Sequence, residues 1–130
     1  MSMRVLLDSH IVVAISLRQL IERFPRVAQL TESTGTLAFV SSASLWEIAI
    51  KARLGKLVIG GPVSALPDYL EALGFVLLSV QPDHAIADVS PEPSTKDPFD
   101  RMLLAQCQVE GLQLVTADRA LADHPLAWRG

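Results

Sequence analysis

The sequence predicts an α/β fold: a three-layer α/β/α sandwich around a central, mainly parallel sheet of about five strands. Three observations point there. Short apolar runs at residues 5–7, 37–40, 75–80 and 112–116 have the character of strands buried on both faces. The segments between them are helical in composition. A helix–glycine–strand succession occurs twice, at Gly74 and Gly111. Strands that alternate with helices favour parallel pairing with helices covering the sheet.

Taken in order, Val5-Leu6-Leu7 forms the first strand and ends at Asp8. Residues 11–30 are helical, with Pro25 breaking the helix into two pieces. After the second strand, Ser44 or Ser42 offers an N-cap for a helix that runs to about Leu54 and stops at Gly55. Gly60-Gly61-Pro62 is a turn, followed by a helix to about Leu73. The third strand comes next, and Pro82 suits the first turn of a short helix reaching about Val89. Residues 90–96 hold two prolines and form a loop. Asp97-Pro98 opens a strong helix to Glu110. Beyond the fourth strand, Asp118 can cap a last short helix, and residues 126–128 form a small fifth strand. No linker divides the chain, so a single domain over residues 1–130 is expected.

Composition narrows the function classes. Half of the 130 residues are apolar and mean hydropathy is +0.35, which excludes a disordered chain. The longest apolar stretches are far short of a bilayer span, so no membrane association is expected. Arg4 is followed by only three apolar residues before Asp8, unlike a signal peptide. The single cysteine, Cys107, reads as a small buried hydrophobe in a reducing compartment, and a cytoplasmic location is expected. The net charge of −3 argues against holding nucleic acid by bulk charge, so any such substrate needs a local site. The histidines (His10, His84, His124) lack metal-ligand spacing, and no glycine-rich phosphate loop occurs.

Open parallel sheets bind ligands outside the carboxyl ends of their strands. Asp8 and Asp118 follow the first and fourth strands there, although each also suits a helix cap. Asp97 and Asp100 bracket a good helix start, with Asp97 as N-cap and Asp100 completing a capping box. Asp100 lies on a helix's first turn, whose side chains can reach one end of the sheet. Glu47 pairs at i, i+4 with Lys51, yet its neighbours are Leu45, Trp46, Ile48, Ala49 and Ile50. A carboxylate on such a buried helix is costly without a partner. Four acids from four separated segments would repel if packed together, and a divalent cation would relieve that conflict. Oxygen donors without Cys or His favour Mg²⁺, or Mn²⁺, over zinc.

Four segments carry a resemblance: Val5-Leu6-Leu7-Asp8-Ser9-His10, the stretch from Val40 through Ser44-Leu45-Trp46-Glu47-Ile48 to Lys51, Lys96-Asp97-Pro98-Phe99-Asp100-Arg101, and Leu114-Val115-Thr116-Ala117-Asp118. In that order and over essentially the whole chain, they resemble the PIN-domain ribonucleases, in particular the VapC toxins of VapBC toxin–antitoxin pairs. The resemblance implies a metal-dependent endoribonuclease whose acidic site is Asp8, Glu47, Asp100 and Asp118. Asp8, Asp100 and Asp118 would hold Mg²⁺ directly or through water, with Glu47 helping to bind metal or orient the attacking water. Asp97 would be an outer or capping residue, and Thr116 and Ser41 or Ser42 would place hydroxyls near the carboxylates. Arg101 would act at phosphate or form a surface ion pair. The family's first motif usually reads Asp-Thr-His, and Ser9 here keeps the hydroxyl. In the loop before Asp97, Glu92 stands where relatives often carry positive charge.

The resemblance also implies an RNA substrate, a cognate VapB-like antitoxin and a homodimer. The acidic pocket would receive an inserted Arg or Lys from the antitoxin. The helices at residues 11–30 and 61–73 would offer a groove for an amphipathic antitoxin helix, or at most positions be ordinary core faces. Lys51, Arg53 and Lys56 would guide RNA to the cleft, or simply form a solvated helix end where the dipole favours cations. The competing reading is a non-catalytic module that keeps the PIN scaffold and binds only a protein partner. A phosphoacceptor receiver domain is excluded: its third strand would end in Asp and a Lys would follow its last strand, whereas here the third ends Ser79-Val80-Gln81 and no Lys follows Lys96.

Overall fold

The computed structural model describes residues 2–130. Four strands, β1 (Met3–Leu7), β2 (Thr36–Ser41), β3 (Val76–Leu78) and β4 (Gln113–Val115), form one sheet in the order β3-β2-β1-β4. Every pairing is parallel. The helices are α1 (Ser9–Ser16), α2 (Leu20–Arg23), α3 (Pro25–Glu32), α4 (Ser42–Arg53), α5 (Leu66–Ala72), α6 (Pro82–Ile86), α7 (Pro98–Glu110) and α8 (Arg119–Ala122), with a 3-10 turn at Val63–Ala65 before α5.

Side-chain alternation along the strands splits the core into two layers. Val5 and Leu7 of β1, with Ala38 and Val40 of β2, pack beneath Ile11, Val12, Val27, Ile48 and Leu70 from α1, α3, α4 and α5. Leu6 and Phe39 face the other way, against Leu103, Leu104 and Cys107 of α7 and Leu121 of α8. The expected three-layer α/β/α arrangement is therefore present. Burial pushes the Cys107 thiol up to about 12, so it stays protonated and acts as a packing group.

The sheet is smaller than the expected five strands. Residues 126–128 contribute only one isolated bridge, Leu114↔Ala127, because His124 and Pro125 turn the chain before a ladder can extend. The segment at residues 11–30 breaks twice rather than once: α1 ends at Ser16, ahead of the break at Pro25, and Arg18 takes a left-handed φ of 58°. The α4 N-cap is Ser41, neither Ser42 nor Ser44. β2 runs directly into the helix, and the Ser41 hydroxyl accepts from the Ala43 N–H at 3.0 Å. Two glycines serve close geometry. Gly111 ends α7 in the left-handed conformation, at φ 70°. A side chain at Gly60 would collide with the Ser16 carbonyl oxygen. Among the described residues no helix is long and apolar enough to cross a membrane.

The register positions the site. Leu7 pairs with Val40 on one side and with Val115 on the other, so β1, β2 and β4 end level with one another. Asp8, Ser41 and Thr116 emerge at the same edge, where α4 and α7 also begin.

Candidate active site

Asp8 is the junction of β1 and α1. Its N–H donates to the Val115 carbonyl at 3.0 Å, adding a last rung to the β1–β4 pairing. Its carboxylate is 3% exposed and caps α1, Oδ1 accepting from the Ile11 N–H at 3.1 Å. Oδ2 accepts from the Thr116 hydroxyl at 2.5 Å and the Ala117 N–H at 3.0 Å. Thr116 Oγ1 in turn accepts from the Asp118 N–H at 3.0 Å. Asp118 caps α8, Oδ1 accepting from the Ala120 N–H at 2.9 Å. Asp8, Thr116 and Asp118 are thus linked in one network, and the Thr116 hydroxyl stands against a carboxylate as expected.

The opposite side is built by α4 and α7. Glu47 is 7% exposed, and both of its oxygens are engaged. Oε1 accepts from the Ser9 hydroxyl at 2.5 Å, and Oε2 from Lys51 Nζ at 2.6 Å. Asp97 is the α7 N-cap, Oδ1 accepting from the N–H groups of Phe99 at 2.8 Å and Asp100 at 3.3 Å. The expected capping box does not close on Asp97. The Thr95 hydroxyl intervenes, accepting from the Asp97 N–H at 3.1 Å and donating to Asp100 Oδ2 at 3.2 Å. Asp100 is thereby turned toward the cleft rather than back onto its own helix.

Charge crowding is greatest at Asp100. Its carboxyl is pushed from 3.8 up to about 6, chiefly by burial and then by the Asp97 charge. Asp118 and Glu47 push in the same direction, and the Thr95 hydrogen bond opposes them. Lys51 is held above its ordinary value by its hydrogen bond to Glu47 and by the charges of Glu47, Asp97 and Asp100, against partial burial. These couplings place acids from α4, α7 and the end of β4 in one electrostatic neighbourhood. Ser9, the residue after Asp8, ties Glu47 to the start of α1.

Other expected residues have different places. Ser41 is fully buried and its hydroxyl is spent on the α4 cap. The Ser42 hydroxyl accepts from the Val80 N–H at 3.1 Å rather than bonding to one of the acids. Arg101 takes the surface reading, pairing with Glu92 at 2.7 Å while donating to the Thr95 carbonyl at 3.3 Å. The i, i+4 pairing of Lys51 with Glu47 that the sequence suggests is present. Ser9 and Thr95 are the partners of the acids that sequence reasoning did not name, and for Ser9 the signal was there in its adjacency to Asp8. Thr95 sits in a loop whose path no local pattern reveals.

The donor set fits a hard cation in chemistry, since it is oxygen-only and its charges destabilise one another. Among the described residues, however, no group of three or more His, Cys, Asp or Glu side chains is arranged to hold a metal ion, so Asp8, Asp100 and Asp118 do not form a ready triad. Mg²⁺ commonly takes one or two carboxylates and keeps several waters, a demand this cleft can meet.

The PIN domain family model matches residues 5–125. Among solved structures, a "Toxin-antitoxin complex from Klebsiella pneumoniae" shares the fold at a TM-score of 0.61 and 19% identity, over 95% of each chain. No curated protein matches the sequence. With the family match spanning nearly every element that builds the sheet and its acidic edge, the chain belongs to the PIN-domain family.

Proposed function

We propose that the protein is a divalent-metal-dependent endoribonuclease, the toxin half of a toxin–antitoxin pair. The observation that carries this reading is the gathering of Glu47, Asp97, Asp100 and Asp118 in one electrostatic neighbourhood, joined to Asp8 through Thr116. PIN-family membership and the toxin–antitoxin origin of a structural neighbour support it.

In this reading Asp8, Asp100 and Asp118 hold Mg²⁺, or Mn²⁺, directly or through water. When bound, the ion activates water and offsets charge at the scissile phosphate, so no Ser, Cys or His nucleophile is required. The protein's own groups set the stage. Thr116 fixes the Asp8 carboxylate, and Thr95 aims Asp100. Glu47 is a candidate to orient water once Lys51 yields its oxygen. Lys51 offsets part of the negative charge of Glu47, Asp97 and Asp100. Arg53 and Lys56, both exposed, extend positive charge away from the acids and are candidates to steer the RNA backbone.

The antitoxin has a candidate seat. A cavity of about 340 Å³ between α1, α2, α3 and α5 is lined by Ile15, Leu20, Ile21, Ala28, Leu73 and Phe75, with Ile21 66% and Leu73 51% exposed. An amphipathic helix could bury this face, and a homodimer is part of the same proposal.

The test is cleavage of a mixed single-stranded RNA with and without Mg²⁺. Asp8→Asn and Asp100→Asn should each lower metal-stimulated cleavage by about a hundredfold or more, of the order expected when transition-state charge stabilisation is lost. Full activity in either variant removes that residue from the assignment. The absence of Mg²⁺-stimulated cleavage by the wild-type chain favours the second reading, a scaffold that binds only its partner. The closed pairing of Glu47 with Ser9 and Lys51 is the observation that keeps this reading open.

A further inference from the structure

A cavity of about 490 Å³ opens beside the acids, lined by Ser42, Trp46, Val80, Pro98, Phe99 and Met102 together with Ala43. Its position follows from helix geometry. Trp46 immediately precedes Glu47 on α4, and Phe99 immediately precedes Asp100 on α7. One residue is about 100° of helix rotation, so the aromatic face and the acidic face are neighbours on both helices. Trp46 is 63% exposed, unusual for so large an apolar side chain. Its plane is nonetheless fixed, because Phe99 meets it edge-to-face with ring centroids 5.5 Å apart and an interplanar angle of 73°. The wall is almost entirely apolar, with one polar point. The Ser42 hydroxyl accepts from the Val80 N–H at 3.1 Å and keeps its own proton to donate.

We propose that this cavity is a nucleobase subsite: Trp46, braced by Phe99, stacks a base of single-stranded RNA next to the phosphate presented to the acids, with Ser42 meeting the base edge. The inference rests on the endoribonuclease reading. A nucleobase matches what is built, since it is flat and apolar on its faces and polar at its rim. Single-stranded RNA is read by such stacking platforms. Continuity with the acid cleft selects this occupant, because a strand laid across the carboxylates must place its bases to one side or the other. On the α4–α7 side, the exposed aromatic face stands ready. The cavity holds no charged wall to steer a salt-bridged peptide.

The test uses tryptophan fluorescence and 2′-O-methyl hexanucleotides, which bind without being cleaved. Wild-type emission should be quenched on binding. Trp46→Ala should weaken binding roughly 5- to 100-fold, the range for losing one stacked base. Trp46→Phe should restore most of the affinity and lose the quench. A fully abasic hexamer should bind the wild type and Trp46→Ala equally. Because Trp46 is exposed, Trp46→Ala should fold with a Tm close to the wild type, which circular dichroism checks. Equal hexanucleotide affinity for Trp46→Ala and wild type overturns the subsite while leaving the nuclease reading intact. A wild type that neither binds nor cleaves RNA overturns both. Unchanged RNA binding combined with lost capture of the co-expressed antitoxin assigns the cavity to the protein partner and also overturns the proposal.

Discussion

The two sides of the acidic cleft are built on opposite principles. On the β1–β4 side each acceptor has its donors. Asp8 takes three hydrogen bonds and Asp118 caps a helix, while Thr116 serves both. On the α4–α7 side Lys51 is the ammonium beside Glu47, Asp97 and Asp100, and the proton affinity of Asp100 is raised, first by burial and then by the neighbouring carboxylates. The same side-chain type is scaffold on one side and unresolved charge on the other. A cation has most to offer the second side, while the first holds it in position.

Substitutions should therefore differ in sign across the cleft. The largest effect is expected at Asp8. Asp8→Ala leaves two N–H groups and a hydroxyl without their acceptor, at a cost of about 3 kcal/mol. In a chain of 130 residues that is on the order of a 10 °C fall in Tm by calorimetry. Thr116→Val keeps the shape but removes one donor and one acceptor, for a smaller loss of about 1–2 kcal/mol in urea unfolding. Asp100→Asn should go the other way. The folded chain holds the Asp100 proton up to about 6, the unfolded chain only to about 3.8, so stability declines as pH rises through that window. Removing the charge should raise stability by about 1 kcal/mol at pH 7, after discounting for solvent screening, and change little at pH 4. Destabilisation by Asp100→Asn at pH 7 would erase the contrast between the two sides. Smallest is Lys51→Met, worth about 0.5 kcal/mol in Tm terms because the Lys51 side chain is 43% exposed. It should also raise the Asp100 titration further, which NMR can follow.

Much of the architecture was legible because its determinants are local. The apolar runs of β1 and β2 and the Asp97-Pro98 start of α7 each announce themselves within a few residues. Gly111 does the same for the end of α7. What was not legible depends on contacts across the fold. The break after Ser16 is the exception: it is a local helix cap, with the Gln19 N–H donating to the Ala14 carbonyl at 2.8 Å and the Arg18 N–H to the Ile15 carbonyl at 3.0 Å, but Arg18 holds the left-handed place that a glycine would have announced. Ser42 and Ser44 were the expected caps of α4, and the reach of β2 as far as Ser41 moved the cap to that residue. At the site, the four acids stood out as a set because each follows a strand or lies near the start of a helix at the same sheet edge. Thr95 did not, since its bond to Asp100 depends on how a proline-flanked loop closes.

The most direct measurement is a carbon-13 NMR titration of the Asp100 carboxyl. If the acids form one coupled cluster, it should titrate near pH 6, move down in Asp97→Asn and in Asp118→Asn, and move down again on adding Mg²⁺. A midpoint near pH 4, the ordinary range for aspartate, indifferent to both substitutions and to Mg²⁺, would mean that the carboxylates share an edge of the sheet without sharing a site.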